Sequence, residues 1–289
     1  MSNTDIIIFS KNRSLQLKSL LRSIRHYSDI EDDEINVIYT TVPQIPYESL
    51  TSEFGCRFIQ QGDFLSDLKN IIERSPNEYV LFMVDDLIFK DSFSLREIED
   101  FLDAKPEVDC FSLRLGKNIQ DGTSPQFVSE RDGMLVWDTR QGLGKLWNFF
   151  WEVSASTYRK SLVTKYLRKC NSGRVSYPNP LESYYYTRMP SHRLRGSSIK
   201  QILLALHFLG ANKTNRMACF EKSKCFTLGV NLVAERNIDY KTVAGPEELH
   251  KKMHEGFVVD YLSIEQVENE WPNAGAKYFQ LIKEPNGDE

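Results

Sequence analysis

The chain has 289 residues, room for two small domains or one large one at about 150 residues each, with 41% hydrophobic and 26% charged residues. That composition excludes a disordered chain, and 36 basic against 40 acidic residues, a net charge of −4, argues against a dedicated nucleic-acid binder. Cys56, Cys110, Cys170, Cys219 and Cys225 are odd in number and form no CxxC pair, so a reducing compartment is expected rather than a disulfide framework.

In chain order, Ile6–Phe9 is a continuous apolar run, the mark of a strand buried on both faces. Ser14 is positioned to cap a helix whose Leu17, Leu20, Leu21 and Ile24 form one face. Ile35–Tyr39 and Arg57–Ile59 read as strands. Asp63 caps a second helix with the buried stripe Phe64, Leu65, Leu68, Ile71 and Ile72. Tyr79–Val84 is the strongest strand and ends abruptly in Asp85-Asp86. A helix over about 92–102 and a strand over Val108–Leu115 follow. This alternation predicts an α/β fold with βαβ crossovers and a mainly parallel sheet covered by helices.

The later sequence is less regular. Residues 116–150 are rich in Gly, Asp and Gln and then in aromatics, and Thr157–Lys169 reads as a helix. Tyr177–Glu182 reads as a rigid loop opening onto a tyrosine-rich segment. Between Arg188 and Lys224 eight basic residues face one Glu, so this stretch carries +7 against −11 for the rest. It is read three ways: a solvated helix, a positive rim for an anionic substrate, or a basic surface for anionic lipid. A strand-like Cys225–Val230 and a helix near 246–254 close the pattern. The apolar runs Ile6–Phe9 and Ile202–Gly210 are too short for a secretory segment or a bilayer span. A cytoplasmic protein, peripheral at most on the inner membrane face, is the expectation.

In open α/β sheets ligands bind at the carboxyl ends of strands, which singles out Ser10-Lys11-Asn12-Arg13 and Asp85-Asp86. The first offers two cations at a strand-to-helix junction, suited to phosphate. The second is either the start of a turn or a holder for a divalent cation on a phosphate-bearing ligand.

FSKNR after the first strand, followed about 70 residues later by YVLFMVDD, resembles the GT-A class of nucleotide-sugar-dependent glycosyltransferases. The similarity is closest to the large inverting family of polysaccharide and surface-glycan transferases. It covers residues 5–115 well, 145–190 loosely and the rest in outline. The resemblance implies a GT-A (Rossmann-like) sheet over residues 1–225, with 1–115 as nucleotide-binding half and 116–225 as acceptor half. Residues 226–289 become a C-terminal elaboration on the same domain.

It further implies Mn²⁺ or Mg²⁺ held by Asp86, although Val84 stands where the family usually has a first acidic residue. Asp85 would face ribose or sugar, and Ser10, Lys11, Arg13 and Lys69 would bind the nucleotide sugar. An inverting enzyme needs a base for the acceptor hydroxyl; the family carries it about a hundred residues beyond the metal motif, where Glu182 stands in NPLE. Without the resemblance Glu182 is a first-turn acid complementing a helix dipole. Trp151, in the cluster Trp147, Phe149, Phe150 and Trp151, reads as an acceptor wall or as core; Phe149 and Phe150 read as core. The acceptor would be a glycan or lipid-linked glycan.

Two other classes stay open: a nucleotidyltransferase, disfavoured because FSKNRS lacks a glycine, and a non-catalytic nucleotide-sugar or glycan-binding module. His250 and His254 have the i, i+4 spacing of a zinc pair, but with no third ligand in view a solvated face is expected. Gly142-Leu143-Gly144-Lys145 lacks the first glycine of a phosphate loop and is rejected.

Overall fold

The computed structural model describes residues 2–131, 133–139, 146–188, 216–230 and 244–284. The strands are β1 (Thr4–Lys11), β2 (Ile35–Thr40), β3 (Arg57–Gln60), β4 (Tyr79–Val84), β5 (Leu87–Phe89), β6 (Val108–Ser112), β7 (Ser129–Arg131), β8 (Met134–Asp138), β9 (Ser156–Arg159), β10 (Arg216–Phe220), β11 (Cys225–Thr227), β12 (Phe257–Val259) and β13 (Leu281–Lys283). The helices are α1 (Ser14–Tyr27), α2 (Glu48–Glu53), α3 (Phe64–Arg74), α4 (Leu95–Ala104), α5 (Lys160–Leu167), α6 (Pro178–Arg188) and α7 (Pro246–His254). Among the described residues one nine-stranded sheet runs β3-β2-β1-β4-β9-β6-β10-β8-β7. β1 to β4 pair in parallel, β9 lies antiparallel between β4 and β6, and β10 returns parallel to β6. This is the mixed, mainly parallel sheet flanked by helices that the GT-A resemblance implies.

The continuous apolar strands are buried on both faces, as expected. Along β1, Ile6 and Ile8 enter one core with Leu17, Leu20 and Ile24 of α1, while Ile7 and Phe9 enter a second core with Phe64, Leu68 and Ile72 of α3. Each fully buried Ile or Leu contributes about 2 kcal/mol through the area it withdraws from water. Asp63 caps α3 by accepting from the Ser66 amide at 2.8 Å.

Several expectations are corrected. Ser14 is the first helical residue of α1, not its cap; Arg13 occupies the cap position without a capping side-chain bond. The helix expected over Thr157–Lys169 starts only at Lys160, because Ser156–Arg159 is the central antiparallel strand β9. Tyr177–Glu182 is not a loop, since α6 begins at Pro178; proline is tolerated in a first turn, where its missing N–H has no partner to lose. β5, β7, β8, β10, β12 and β13 are additional strands.

The described residues beyond 225 pack onto the N-terminal half. α7 and β12 lie against α1, β11 pairs antiparallel with β5, and Lys18 of α1 holds Glu284 at 2.7 Å. No helix among the described residues is long and apolar enough to cross a membrane. Most of the basic stretch 188–224, and Gly142–Lys145, lie outside the described residues. All five cysteines are free thiols.

Candidate active site

The carboxyl ends of β1 and β4 are neighbours in the sheet, with Phe9 opposite Val84. That register brings the two polar segments singled out above into contact. Asp85 and Asp86 form the turn between β4 and β5. Arg13 reaches both through one nitrogen, Nη1, at 2.9 Å from Asp85 Oδ1 and 3.0 Å from Asp86 Oδ2. Asp85 Oδ2 accepts from Ser10 Oγ at 2.9 Å and from the Lys11 amide at 3.0 Å.

Tyr47 completes the cluster. Its hydroxyl accepts from the Arg13 amide at 3.0 Å and lies 2.8 Å from Ser10 Oγ. The Ser10 proton is already given to Asp85, so the phenol donates to Ser10. Burial, with Asp85 nearby, holds the Tyr47 phenol above its ordinary pKa and keeps it a neutral donor. Tyr47 was not legible in the sequence: it arrives from a loop 34 residues beyond Arg13 and belongs to no motif.

The bend that aims this segment is Asn12, with φ 55°. Left-handed backbone disfavours most L-residues, but Asn tolerates it. The Asn12 amide donates to Thr40 O at 3.1 Å and its Oδ1 accepts from the Val42 amide at 3.0 Å. Burial works against the charges of Arg13 and Asp85. The two carboxylates overcome it for Arg13, whose pKa is raised. For Asp85 burial pushes the pKa up and Arg13 pulls it back.

Arg13 is 5% exposed and Ser10 is 6% exposed; Ser10 turns its hydroxyl to Asp85 and Arg13 its guanidinium to both aspartates. Lys11 turns its side chain to solvent. Lys69, half-buried on the second turn of α3, makes no hydrogen bond or ion pair with the described residues of the cluster and is not brought into it.

The second polar centre lies between β6, β9 and α6. Arg114 Nη2 pairs with Glu152 Oε2, and Glu152 Oε1 accepts from Ser156 Oγ at 2.9 Å and Ser112 Oγ at 3.4 Å. Glu182, on α6, accepts from the Val153 amide at 2.8 Å. Its carboxyl is pushed up to about 7, mainly by burial, with Glu152 adding and the Val153 amide and Arg114 opposing. Glu182 is not a first-turn acid, and no acidic residue lies in the first turn of α6. Arg114 and Glu152 were missed as a pair, 38 residues apart with no sequence pattern to join them.

The two centres are linked through residues 227 and 228: Leu228 N donates to Asp86 O at 2.7 Å, and the neighbouring Thr227 Oγ1 donates to Asn273 Oδ1, which also accepts from Arg114 Nη1 at 3.4 Å. The acceptor wall at Trp151 is overturned. Its indole has no exposed surface and is sandwiched by Tyr185 (4.6 Å, stacked) and Tyr158 (4.5 Å). An aromatic with both faces taken is core. The His250 pair also differs from expectation: His250 is buried, its Nδ1 lies 2.8 Å from Ser14 Oγ and its Nε2 3.1 Å from His254 Nε2. No cluster of three or more metal-ligating side chains occurs among the described residues.

No protein-family model matches the chain. The chain is 28% identical over 180 residues to the bifunctional glycosyltransferase pgtA of Dictyostelium discoideum; the match covers 53% of this chain and 23% of that protein, so the chain spans under a quarter of the relative's length. Among solved structures, S. aureus TarS 1-349 in complex with UDP-GlcNAc is 13% identical, with 88% of this chain and 64% of that chain covered and a TM-score of 0.45. A mannosyltransferase from Pyrobaculum calidifontis, in complex with GDP-Man and Mn²⁺, is 11% identical over 66% of this chain and 53% of that one, with a TM-score of 0.37.

Proposed function

We propose that this chain is a glycosyltransferase that moves a sugar from a nucleotide-diphosphate sugar to a hydroxyl of a glycan or lipid-linked glycan, with inversion. The observation that carries this reading is the presence of two carboxylate centres at the carboxyl ends of parallel strands of one sheet: Asp85-Asp86 held by Arg13, and a buried Glu182 whose carboxyl is pushed up to about 7. The partial similarity to a glycosyltransferase supports it. In this reading residues 1–115 hold the donor, 116–225 the acceptor, and 226–289 brace both.

The residues present fit one divalent cation. Asp86 is 15% exposed and meets Arg13 through Oδ2, leaving Oδ1 for a ligand, and Arg13 balances only one of the two carboxylates. Mg²⁺ or Mn²⁺ is satisfied by one carboxylate, diphosphate oxygens and water. Bound there, the cation would neutralise charge on the leaving diphosphate.

The chain's own residues do the rest. Arg13, Ser10, Tyr47 and the Lys11 amide fix Asp85 and so the angle at which Asp86 is presented. The Lys11 side chain, at the rim, and Lys69 attract the anionic donor. Glu182 takes the proton from the acceptor hydroxyl as its oxygen attacks the anomeric carbon and the bond to the diphosphate breaks. A base poised near 7 is matched to that task, and holding both substrates in line supplies much of the acceleration.

Thermal melting with a panel of nucleotide sugars, with Mn²⁺ and with EDTA, tests the donor site. A saturating donor, at about a hundred times its dissociation constant, adds near 2.7 kcal/mol. A melting shift with one nucleotide family, lost in EDTA and in Asp86→Ala, is the expected result. No shift with any donor would leave Asp85-Asp86 as a turn and the reading without support.

A further inference from the structure

Three of the four tryptophans are enclosed completely, whereas Trp271 is 51% exposed. A large indole left in water is informative where a buried one is not. Its position is fixed by its neighbours. Trp271, Pro272 and Asn273 run exposed, buried, exposed. Pro272 is pinned because its carbonyl accepts from Thr227 N at 2.8 Å and from Thr227 Oγ1 at 3.2 Å. The next residues continue along the same strand edge, with Ala274 N donating to Thr227 O at 2.9 Å and Gly229 N to Gly275 O at 3.1 Å. Trp271 and Asn273 therefore stand together on the outer side of a fixed segment.

That segment is built onto both polar centres. Asn273 Oδ1 accepts from Arg114 Nη1 at 3.4 Å and from Thr227 Oγ1, and Arg114 is the partner of Glu152, next to Glu182. On the other side Leu228, adjacent to Thr227, binds the Asp86 carbonyl. Gln120 and Glu270 are exposed, and the Gln120 main-chain N–H donates to the Glu270 carbonyl at 2.8 Å, which ties the backbone before Trp271 to that of Gln120.

An open indole beside exposed polar residues has the chemistry of a saccharide subsite. The electron-rich ring face attracts the polarised C–H face of a pyranose, and the amide and carboxylate groups take its hydroxyls. An acyl chain would require a wider apolar surface than this polar-edged ring offers. We propose that Trp271 is the acceptor platform, with Asn273, Gln120 and Glu270 as its hydrogen-bonding rim, and that the acceptor presents a sugar ring there. The inference rests on the glycosyl-transfer reading and adds the class of acceptor and its place.

Because Trp137, Trp147 and Trp151 are shielded, acrylamide quenching of intrinsic fluorescence reads Trp271. The probes are lactose, cellobiose, maltose and chitobiose, each with and without the donor that shifts melting. At least one is expected to protect the accessible emission and move it to the blue. Trp271→Ala removes that emission and raises the KM for the saccharide acceptor roughly five- to tenfold, leaving donor KM and the donor-induced melting shift unchanged. Trp271→Phe, which keeps a stacking face, recovers part of the loss.

If a donor shifts melting but no saccharide protects Trp271, or if Trp271→Ala leaves acceptor KM unchanged, the inference is overturned while the donor reading stands. If saccharides protect Trp271 although no donor binds, the saccharide site is upheld and the transferase reading fails instead.

Discussion

The two polar centres carry the same set of charges, one arginine with two carboxylates, and arrange it in two ways. In the first set Arg13 touches both Asp85 and Asp86. In the second, Arg114 pairs with Glu152 alone, and Glu182 is left with a backbone amide as its hydrogen-bond donor. The difference decides what each carboxylate can do. A shared guanidinium fixes two carboxylates as a rigid anionic edge, suited to presenting charge to a cation. A carboxylate buried beside another pair, without a cation of its own, is driven toward neutrality and becomes a group that gains and loses a proton near pH 7.

The sharpest way to break this contrast is at Glu182. Glu182→Gln is expected to lower transfer about 10²- to 10⁴-fold, the usual worth of a positioned base, with donor affinity unchanged in a melting-shift titration. Full activity in this variant removes Glu182 from the chemistry. On the donor side, Arg13→Met leaves two carboxylates without their cation, and breaking a buried pair from one side costs about 3–5 kcal/mol. Urea denaturation at neutral pH reads this loss; a variant as stable as the parent would show that Arg13 is not the clamp.

The two sets also differ in their dependence on pH. Folded Glu182 keeps its proton to about 7, against an ordinary value of 4.5, so between these values the native state binds more protons than the unfolded chain. Stability therefore falls as pH rises through that window, by about 3 kcal/mol in total at 1.36 kcal/mol per unit. In Glu182→Gln this slope disappears, which denaturation at pH 5 and pH 8 measures.

A smaller effect of opposite sign comes from His250. Burial, with His254 beside it, lowers its pKa below the ordinary 6.5. The unfolded state then takes up the proton first, and stability declines as pH drops below about 6.5. His250→Gln is expected to flatten that acid limb while leaving the neutral-pH melting temperature nearly unchanged.

Residues up to Ser112, α2 and β5 apart, were largely legible because most elements there declare themselves locally. Apolar runs mark β1 and β4, Asp63 marks the start of α3, and a parallel register then forces Ser10–Arg13 against Asp85-Asp86. The later half was not legible for a physical reason. β9 is four residues long and passes into α5 without a turn, so its pattern merges with the helix. β8 and β10 are defined by pairings across distant sequence, one of which joins Arg216 to Asp138.

The site divides in the same way. Asp85, Asp86, Ser10 and Arg13 follow from strand ends, whereas Tyr47 and the Arg114–Glu152 pair depend on contacts across distant sequence. An aromatic cluster states only that large rings are near one another. Packing alone separates the buried Trp151 from the exposed Trp271.

The most direct test of the account is product formation from the donor that shifts melting, followed as a function of pH in the parent chain and in Glu182→Gln. The parent rate is expected to climb through about pH 7 and then level, and the variant to show a low rate that no longer follows this titration. Donor binding without any sugar transfer, or a pH profile identical in the two proteins, would contradict it.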